Sequence, residues 1–281
     1  MHNLMELSFT MAKILSGEKL AKSILASLKK RKKKPKALAV VQVGSNKVSQ
    51  KYIAEKKRVA KDIGVKFQLV SLPKNVSFKT IESRVLSLSK DRRVAGIVVQ
   101  LPLPSKLNTQ KVLDLIPPEK DVDVLSSSSF AEFALGRLQI LPPTVAAISH
   151  LLKAAKKDIA GKKAVVVGAG RLVGLPTAVW LAQQGAEVSL VQKETKNPAS
   201  VIAKADIVVS GVGKPNLIVG SMIKKGAVVI DAGTSVEGAV TVGDVETESV
   251  SKKASFLSPV PGGVGPLTVA CLLNNLYAIH R

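Results

Sequence analysis

Tyr52 and Lys56 stand four residues apart in a segment that the sequence predicts to be helical, Val48–Ile63. Residues four apart share one face of a helix, so the phenol and the amine are neighbours. Gln100 is at the tip of a predicted strand, Gly96–Gln100, which a Leu-Pro-Leu-Pro segment ends abruptly. A partly buried lysine that an amide or a hydroxyl orients has a tuned pKa and works as a general acid or base. We interpret these three side chains as a candidate proton-transfer site; the alternative for Lys56 is an ordinary solvated helix lysine.

Three prolines and three glycines fall within ten residues, Pro259–Thr268. Prolines fix φ and lack an N–H donor, whereas glycines permit positive φ and let a flat ligand approach the backbone closely. This composition predicts a loop rather than a regular helix or strand. Two interpretations are equally supported: a shelf for a flat ligand, or a rigid turn before a helix predicted over Leu267–Ile279.

A strand followed by a glycine turn and a helix opens the second half of the chain. The strand is predicted over Ala164–Val167, and the glycines are Gly168, Gly170 and Gly174. Such a turn presents backbone N–H groups and a helix N-terminus to a pyrophosphate, which is typical of dinucleotide-binding domains. The glycine spacing is one residue longer than the commonest pattern, so a plain strand-to-helix turn is the alternative.

The end of the next strand carries mixed signals for the type of dinucleotide. Lys193, together with Arg171, suits the 2′-phosphate of NADP, whereas Glu194 suits the free ribose hydroxyls of NAD. The residues alone therefore leave both NADP and NAD open.

The elements that position these residues alternate between helical patterns and short β-branched runs, which is typical of α/β proteins with parallel sheets. Two sheets are predicted, before and after a break near Leu141–Thr144, where Thr144 suits the N-cap of the next helix. Ser126–Ser129 is interpreted as a polar loop. The predicted strands are Ala37–Val43, Lys66–Leu72, Gly96–Gln100, Ala164–Val167, Glu187–Val191, Ile207–Ser210, Val228–Asp231 and Val240–Val242. The predicted helices are Val48–Ile63, Phe78–Lys90, Thr109–Leu115, Thr144–Lys157, Gly174–Gln184, Pro198–Lys204 and Leu267–Ile279.

Composition limits the class of protein. A length of 281 residues with 46% hydrophobic content suffices for one large or two moderate domains. The apolar runs are strand-sized, so no membrane span is predicted. A single cysteine, Cys271, excludes an intramolecular disulfide framework, and with no leader-like pattern it favours the cytoplasm. Met1–Thr10 lacks periodicity and is interpreted as a disordered extension, and no metal site is predicted.

The net charge of +22 raises binding to nucleic acids or to membrane surfaces as a competing function. The densest basic block, Lys29–Lys34, follows an amphipathic pattern and is predicted to sit in solvent at a helix C-terminus, where it complements the helix dipole. Aromatic residues make up only 3% of the chain and leave little for base stacking. Binding to nucleic acid is therefore disfavoured.

Motifs along nearly the whole chain from Ile14 agree, in number and order, with one enzyme family. The matching segments are Val43–Gly44, Ser49–Lys56, Gly96–Pro104, Lys120–Asp123, Gly168–Pro176, Ala205–Val208, Gly226–Asp231, Gly243–Val245 and Pro259–Pro266. With these segments the chain resembles the bifunctional methylenetetrahydrofolate dehydrogenase/methenyltetrahydrofolate cyclohydrolase family. The resemblance implies a two-domain α/β fold with a folate cleft between the domains. Residues 11–141 and 262–281 would form an α/β/α catalytic domain, and residues 142–261 a Rossmann-like NAD(P)-binding domain.

The resemblance also implies roles for the matching residues. Lys56 would be the main acid/base residue, Gln100 its hydrogen-bonding partner, Tyr52 a ring that packs against or orients the folate, and Asp123 a ligand of the pterin. Tetrahydrofolate derivatives are the implied substrates, NADP the expected cofactor with NAD as the alternative, and a homodimer the expected assembly. The implied substrate contacts are Ser49, Val99, Leu101, Pro261, Gly262, Gly263, Val264 and Gly265. The implied cofactor contacts are Thr144, Gly168, Ala169, Gly170, Arg171, Gly174, Lys193, Thr234 and Thr268.

Departures from the family pattern concern mainly the cofactor side. The usual Gly-Arg-Ser after the first Rossmann strand is Gly168–Gly170 here, so the arginine and serine that grip a 2′-phosphate are absent. Lys193 replaces part of a His-Ser pair and compensates by charge. Val124 stands where the family has a glycine, and we expect it to resist a positive φ and to reshape the loop that carries Asp123.

These observations favour a cytoplasmic one-carbon enzyme with both activities. A monofunctional or NAD-preferring dehydrogenase is the nearest alternative, because of Ala169, Gly170 and Glu194. A basic scaffold or nucleic-acid-binding protein on the same fold is the alternative from another class.

Overall fold

The computed structural model describes residues 11–238 and 240–280, and Met1–Thr10 lies outside them. The described chain divides into two compact units. The three-stranded unit comprises Glu18–Ala147 and the residues from Pro266 onward, and the six-stranded unit comprises the described residues up to Gly17 together with Ile148–Gly265. Among the described residues, no helix has the length and apolar character needed to cross a membrane.

The secondary structure alternates as the sequence predicts. In chain order the strands are β1 (Lys13–Ile14), β2 (Ala37–Val43), β3 (Lys66–Leu72), β4 (Gly96–Val99), β5 (Lys163–Val167), β6 (Glu187–Val191), β7 (Ile207–Ser210), β8 (Val228–Asp231), β9 (Ser235–Glu237), β10 (Val240–Val242) and β11 (Phe256–Ser258). The helices are α1 (Gly17–Lys30), α2 (Lys47–Asp62), α3 (Phe78–Lys90), α4 (Thr109–Leu113), α5 (Ser127–Ala134), α6 (Pro143–Ala154), α7 (Gly174–Gln183), α8 (Pro198–Ile202), α9 (Thr247–Ser251) and α10 (Val264–Ile279). Two short 3₁₀ helices cover Pro118–Lys120 and Gly220–Met222.

The three-stranded unit has a parallel sheet in the order β3-β2-β4. The central strand β2 is buried on both faces, as its nearly continuous run of alanine, valine and leucine requires. Leu38 and Val40 point to the face that α2 and α10 cover, whereas Ala39 and Val41 point to the face that α3 and α4 cover. The apolar side chains of α2, from Ile53 onward, therefore pack against this sheet.

The six-stranded unit has a parallel sheet in the order β1-β11-β8-β7-β5-β6 and an antiparallel hairpin of β9 and β10. Strand β1 joins its edge: Lys13 N–H donates to Ser255 O at 2.9 Å, and Leu15 N–H donates to Leu257 O at 2.8 Å. Residues 11–17 therefore belong to this unit, whereas the sequence placed them in the catalytic domain. Sequence patterns miss such a strand because two residues are too few to show a period.

Three local predictions were wrong. Ser126–Ser129 is not a loop, because Ser126 Oγ accepts from Ser129 N–H and caps α5. Thr144 is not an N-cap, because α6 starts one residue earlier at Pro143, whose fixed φ suits a first helical position. The glycine- and proline-rich loop ends at Gly263, since α10 already starts at Val264 and tolerates Pro266 in its first turn.

Two of the many lysines bind backbone carbonyl oxygens at the ends of helices. Lys34 Nζ donates to the backbone oxygens of Leu28 and Lys29 at the C-terminus of α1, so this part of the basic block does not simply sit in solvent. Lys120 Nζ donates to the backbone oxygens of Leu88, Ser89 and Asp91, where α3 ends. A cation at the negative end of a helix satisfies carbonyls that have no partner within the helix.

Candidate active site

Lys56 lies on α2, whose start and buried face are both well defined. Asn46 caps the helix by accepting from Ser49 N–H at 2.8 Å, and Ile53, Val59 and Ala60 pack into the core beneath it. These contacts fix the rotation of the helix about its axis and so direct Lys56 toward the end of β4. We therefore attribute the placement of Lys56 to the hydrophobic pattern of α2.

Lys56 and Gln100 are hydrogen-bonded to each other. Lys56 Nζ donates to Gln100 Oε1 at 2.9 Å, and Gln100 Nε2 donates to Leu101 O at 2.9 Å. The second bond orients the carboxamide so that its oxygen faces the amine. The expected pairing of these two residues is present in the structure, while their catalytic roles stay predictions.

Asp123 forms the third polar group of this site. Burial lowers the pKa of the Lys56 ammonium, and the Asp123 carboxylate opposes that shift. Burial raises the pKa of Asp123 to about 6, an effect that Lys56 opposes and Asp121 reinforces. A lysine with a lowered pKa has more neutral amine near pH 7, and a general base needs that form.

The loop that carries Asp123 is fixed by two side chains that the sequence analysis did not single out. The buried Asp121 carboxylate accepts from the N–H groups of Leu125 and Ser126, the latter at 2.8 Å. Asn275 of α10 donates from Nδ2 to Val122 O at 3.0 Å. The position of Asp123 therefore depends on a neighbouring carboxylate and on the last helix.

Val124 adopts a φ of 57°, so the expectation that it resists positive φ was wrong. A β-branched residue in this region is strained and needs surroundings that impose the conformation. The Asp121 carboxylate provides them by holding the N–H groups immediately after Val124, and the Val124 side chain is fully buried. The loop thus reaches the conformation for which the family uses glycine.

The other residues assigned to this unit occupy different surroundings. Tyr52 is half-buried on α2. Ser49 is buried, and its Oγ donates to Leu101 O at 3.4 Å. Val99 is buried with its side chain on the opposite face of the sheet, among residues of α3 and α4. Thr144 and Thr268, which the resemblance assigns to the cofactor, also lie in the three-stranded unit.

The glycine turn of the six-stranded unit has the shape that a pyrophosphate site requires. Gly168 has a φ of 92°, and a Cβ on Gly174 would overlap the Gly168 carbonyl oxygen, so both positions need glycine. A Cβ on Gly170 would meet no atom within 4 Å, which leaves open space beside the turn. Helix α7 begins there without a side-chain cap. These features fit a bound dinucleotide phosphate.

The charged residues that the sequence analysis assigns to the adenosine end lie at the same edge of that sheet. Gly168 N–H donates to Val191 O at 2.8 Å, so β5 and β6 end side by side. Lys193 and Arg171 are exposed beyond these strand ends, and so is Glu194. Thr234, after β8, is exposed as well. No group of three or more metal-ligating side chains occurs among the described residues.

Two buried carboxylates hold the loops at this edge. Asp244 accepts from Ser210 Oγ, Val212 N–H and Lys214 N–H at 2.7 to 2.8 Å. Asp231 accepts from the N–H groups of Gly233, Asp244 and Val245 at 2.9 to 3.2 Å. In the sequence these positions stand out only as motif residues, because their partners come from distant loops.

Asp231 is expected to make stability depend on pH. Burial raises its pKa from the ordinary 3.8 to about 6. The folded protein therefore holds a proton that the unfolded chain releases above pH 4. The stabilising contribution is complete below about pH 4 and is lost as the pH rises through about 6.

Urea unfolding at several pH values between 4 and 7 tests this expectation, with Asp231→Asn as the variant. The decrease of the free energy of unfolding over this range should be smaller in the variant than in the wild type. An unchanged pH dependence in Asp231→Asn would contradict the assignment.

The residues Pro261, Gly262, Gly263, Val264 and Gly265 belong to the six-stranded unit rather than to the unit of Lys56. Gly262 has the expected positive φ, at 98°, and a Cβ on Gly263 would overlap the Pro259 carbonyl oxygen. Val264 and Gly265 are helical. Whether this segment contacts folate stays a prediction.

Both parts of the chain are similar to known proteins. Residues 15–123 match the family model of the tetrahydrofolate dehydrogenase/cyclohydrolase catalytic domain, and residues 142–281 match that of its NAD(P)-binding domain. The bifunctional protein FolD of Nitratiruptor sp. is 42% identical over 269 residues, which cover 93% of this chain and 95% of that protein. FolD of Moorella thermoacetica is 41% identical over 277 residues, covering 96% of this chain and 99% of that protein.

Two solved structures are similar along nearly the whole chain. The FolD methylenetetrahydrofolate dehydrogenase/cyclohydrolase of Campylobacter jejuni has a TM-score of 0.91 and 36% identity, covering 95% of this chain and 98% of that one. The enzyme of Trypanosoma brucei, solved with NADP cofactor and inhibitor, has a TM-score of 0.91 and 36% identity, covering 96% and 97%.

Proposed function

Because the chain belongs to the tetrahydrofolate dehydrogenase/cyclohydrolase family, we propose that it oxidises 5,10-methylenetetrahydrofolate to the 5,10-methenyl cation and hydrolyses the cation to 10-formyltetrahydrofolate. The observation that carries the proposal for this chain is the hydrogen bond between Lys56 Nζ and Gln100 Oε1. A matching fold without an acid/base pair would support binding but not turnover.

Lys56 moves the protons of the hydrolytic step. Water adds to the methenyl carbon, and the neutral Lys56 amine accepts the proton that the water loses. The resulting ammonium donates a proton to N5 as the bond from N5 to the carbon breaks, and the hydroxyl of the adduct releases its proton to solvent, which leaves the formyl group on N10. Gln100 holds the amine in place, and Asp123 stabilises its ammonium form.

The oxidative step depends on positioning. A bound NAD(P) would supply the hydride acceptor for the methylene carbon, a chemistry that belongs to the dinucleotide itself. The turn from Gly168 to Gly174 is shaped for its pyrophosphate, and Arg171 and Lys193 supply positive charge for a 2′-phosphate. Tyr52 and Asp123 are the residues that we assign to orienting the folate.

Absorbance-monitored turnover of 5,10-methylenetetrahydrofolate with NADP and, separately, with NAD tests the proposal. We expect the methenyl product to form and then to decay in an enzyme-dependent way. Accumulation without decay would mean a dehydrogenase alone. No turnover with either cofactor, by folded protein, would favour the basic scaffold or nucleic-acid-binding alternative.

Lys193→Ala is expected to weaken NADP binding by roughly three- to tenfold, because an exposed ion pair with one phosphate contributes only a small binding free energy. NAD binding should stay nearly unchanged, because NAD lacks the 2′-phosphate. Isothermal titration with both dinucleotides measures the effect. Lys196→Ala, which removes an exposed lysine nearby, is the control. An equal loss for both dinucleotides would remove the phosphate-binding role of Lys193.

Assembly and location complete the proposal. We propose a homodimer, which the exposed Leu69 on the edge strand β3 supports, because sheet edges with apolar side chains favour pairing. Sedimentation velocity gives the oligomeric state. We also propose a cytoplasmic location, which is consistent with a single, buried cysteine.

A further inference from the structure

Gln42 is a buried polar residue in the central strand of the three-stranded unit. Only 7% of its surface is exposed. Strands β2 and β4 are parallel with Val41 opposite Val99, and Gln100 N–H donates to Val41 O at 2.8 Å. Gln42 is therefore the neighbour of Gln100 across the two strand ends. Paired residues of parallel strands point to the same face, so both side chains lie on the face that α2 and α10 cover.

The Gln42 amide nitrogen is buried, and among the described residues no acceptor lies within hydrogen-bond distance of it. Such a group costs free energy in the folded state, and it therefore calls for an explanation. The remainder of β2 is alanine, leucine and valine, which shows that an apolar side chain suits this strand. A glutamine at this place is consistent with a function that offsets its cost.

The group on which Gln42 would act is the carboxamide of Gln100. Its oxygen and nitrogen occupy similar volumes, so hydrogen bonds alone decide which of them faces Lys56. In the flipped orientation, Nε2 of Gln100 would face the Lys56 ammonium, so two donors would meet, and a donor relayed from Gln42 would add a third. A donor from Gln42 therefore favours the orientation in which Oε1 accepts from Lys56.

We propose that Gln42 is a positioning residue: its amide nitrogen donates, through one ordered water molecule, to Gln100 Oε1 and keeps that oxygen turned toward Lys56. Such a water would take Gln42 Nε2 and Gln100 Oε1 as partners, and a buried water needs two to four polar partners. The inference rests on the proposed function, since it assigns Gln42 to the acid/base pair of the hydrolytic step.

The elements around Gln42 carry few charged groups that could also shift the pKa of Lys56. Strands β2 and β4 and helix α10 carry no Asp, Glu, Lys, Arg or His. The ionisable groups of α10 are Cys271 and Tyr277, both buried. On α2 itself Lys56 is flanked by Glu55 and Lys57, and from the loop side Asp123 is the group that shifts its pKa. A change at Gln42 should therefore be visible in the pKa of Lys56.

Two variants with opposite expected effects test the proposal. In Gln42→Met the carboxamide of Gln100 keeps its bond to Leu101 O but loses the second restraint, so the Lys56 ammonium loses its acceptor for part of the time and its pKa falls. In Gln42→Glu a carboxylate faces the pair, so the pKa of Lys56 rises. The pKa is measured from the pH dependence of Lys56 acetylation by mass spectrometry, without need of activity, and from the pH profile of methenyl hydrolysis.

At a pH where Lys56 is neutral in both proteins, so that only the position of the amine differs, we expect Gln42→Met to lower kcat for hydrolysis by roughly tenfold, the worth of one hydrogen bond, with KM nearly unchanged and thermal stability kept or raised. Gln68→Met is the matched control, because Gln68 is exposed on the neighbouring strand β3. Wild-type kcat and an unchanged pKa of Lys56 in Gln42→Met would overturn the proposal.

The remaining outcomes are also decisive. If Gln42→Met fails to fold, an unchanged pKa of Lys56 in Gln42→Glu overturns the inference, and a raised pKa supports it. If the wild type shows no hydrolysis, the proposed function fails, while the acetylation experiment still decides the role of Gln42.

Discussion

Lys56→Met is expected to lower kcat for methenyltetrahydrofolate hydrolysis by roughly 10²- to 10⁴-fold, the usual range for a lost general acid or base. The reason is that the methionine side chain has a similar length but accepts no proton from the attacking water. Dehydrogenase activity should fall less, because hydride transfer does not route a proton through this amine. Stopped-flow absorbance of the methenyl cation measures the hydrolytic step directly.

Lys57→Met is the matched control for this prediction. Lys57 is the next residue on the same helix and is exposed, so its loss removes the same charge without touching Gln100. We expect near-wild-type rates for it. Hydrolysis at the wild-type rate in Lys56→Met would show that another group carries the proton.

Asp121→Ala should have the largest effect on stability. Two buried N–H groups, those of Leu125 and Ser126, lose their acceptor, and each such loss costs about 1–3 kcal/mol. The restraint on the positive φ of Val124 is lost at the same time. We therefore expect the free energy of unfolding to fall by roughly 3 kcal/mol, measured by urea denaturation.

The hydrolytic activity of Asp121→Ala should also reveal the release of this loop. With its loop released, Asp123 no longer keeps its position near Lys56, so hydrolysis by the fraction that stays folded should also decrease. Glu119→Ala, which truncates an exposed acidic residue two positions earlier, should change neither property. An Asp121→Ala protein with wild-type stability would mean that the loop conformation does not depend on this carboxylate.

Strand positions were predictable because each strand is a compact valine- and isoleucine-rich run. For example, β2, β3 and β8 have the predicted bounds. Strand β11 was missed because it is short and forms its bonds with β8 and β1, which are distant in the chain. The start of α10 was missed because the prolines and glycines of Pro259–Thr268 predicted a loop, whereas a proline in the first turn of a helix loses no hydrogen bond.

The pairing of Lys56 with Gln100 was predictable, whereas the residues that fix the neighbouring Asp123 loop were not. Lys56 and Gln100 stand out because a lysine on a helix and an amide at a strand end carry chemistry by their type. Asp121 resembles any acidic residue of a surface loop, since its role depends on backbone groups that only the closed loop presents. Asn275 acts on a carbonyl far away in the chain. Gln42 did offer a signal, because it is the one polar residue in an otherwise apolar strand.

Helix α10 has a consequence for the order in which the protein forms during translation. It covers Leu38, Val40 and Val98 and holds the carbonyl of Val122, yet it is synthesised after the whole main segment of the six-stranded unit. On the ribosome, the part of the apolar sheet face that α10 covers is therefore made early and stays exposed until α10 is synthesised. Domains commonly complete in the order of synthesis. Here the three-stranded unit, which begins first, can complete only after the six-stranded unit has been synthesised, because its last helix is at the end of the chain.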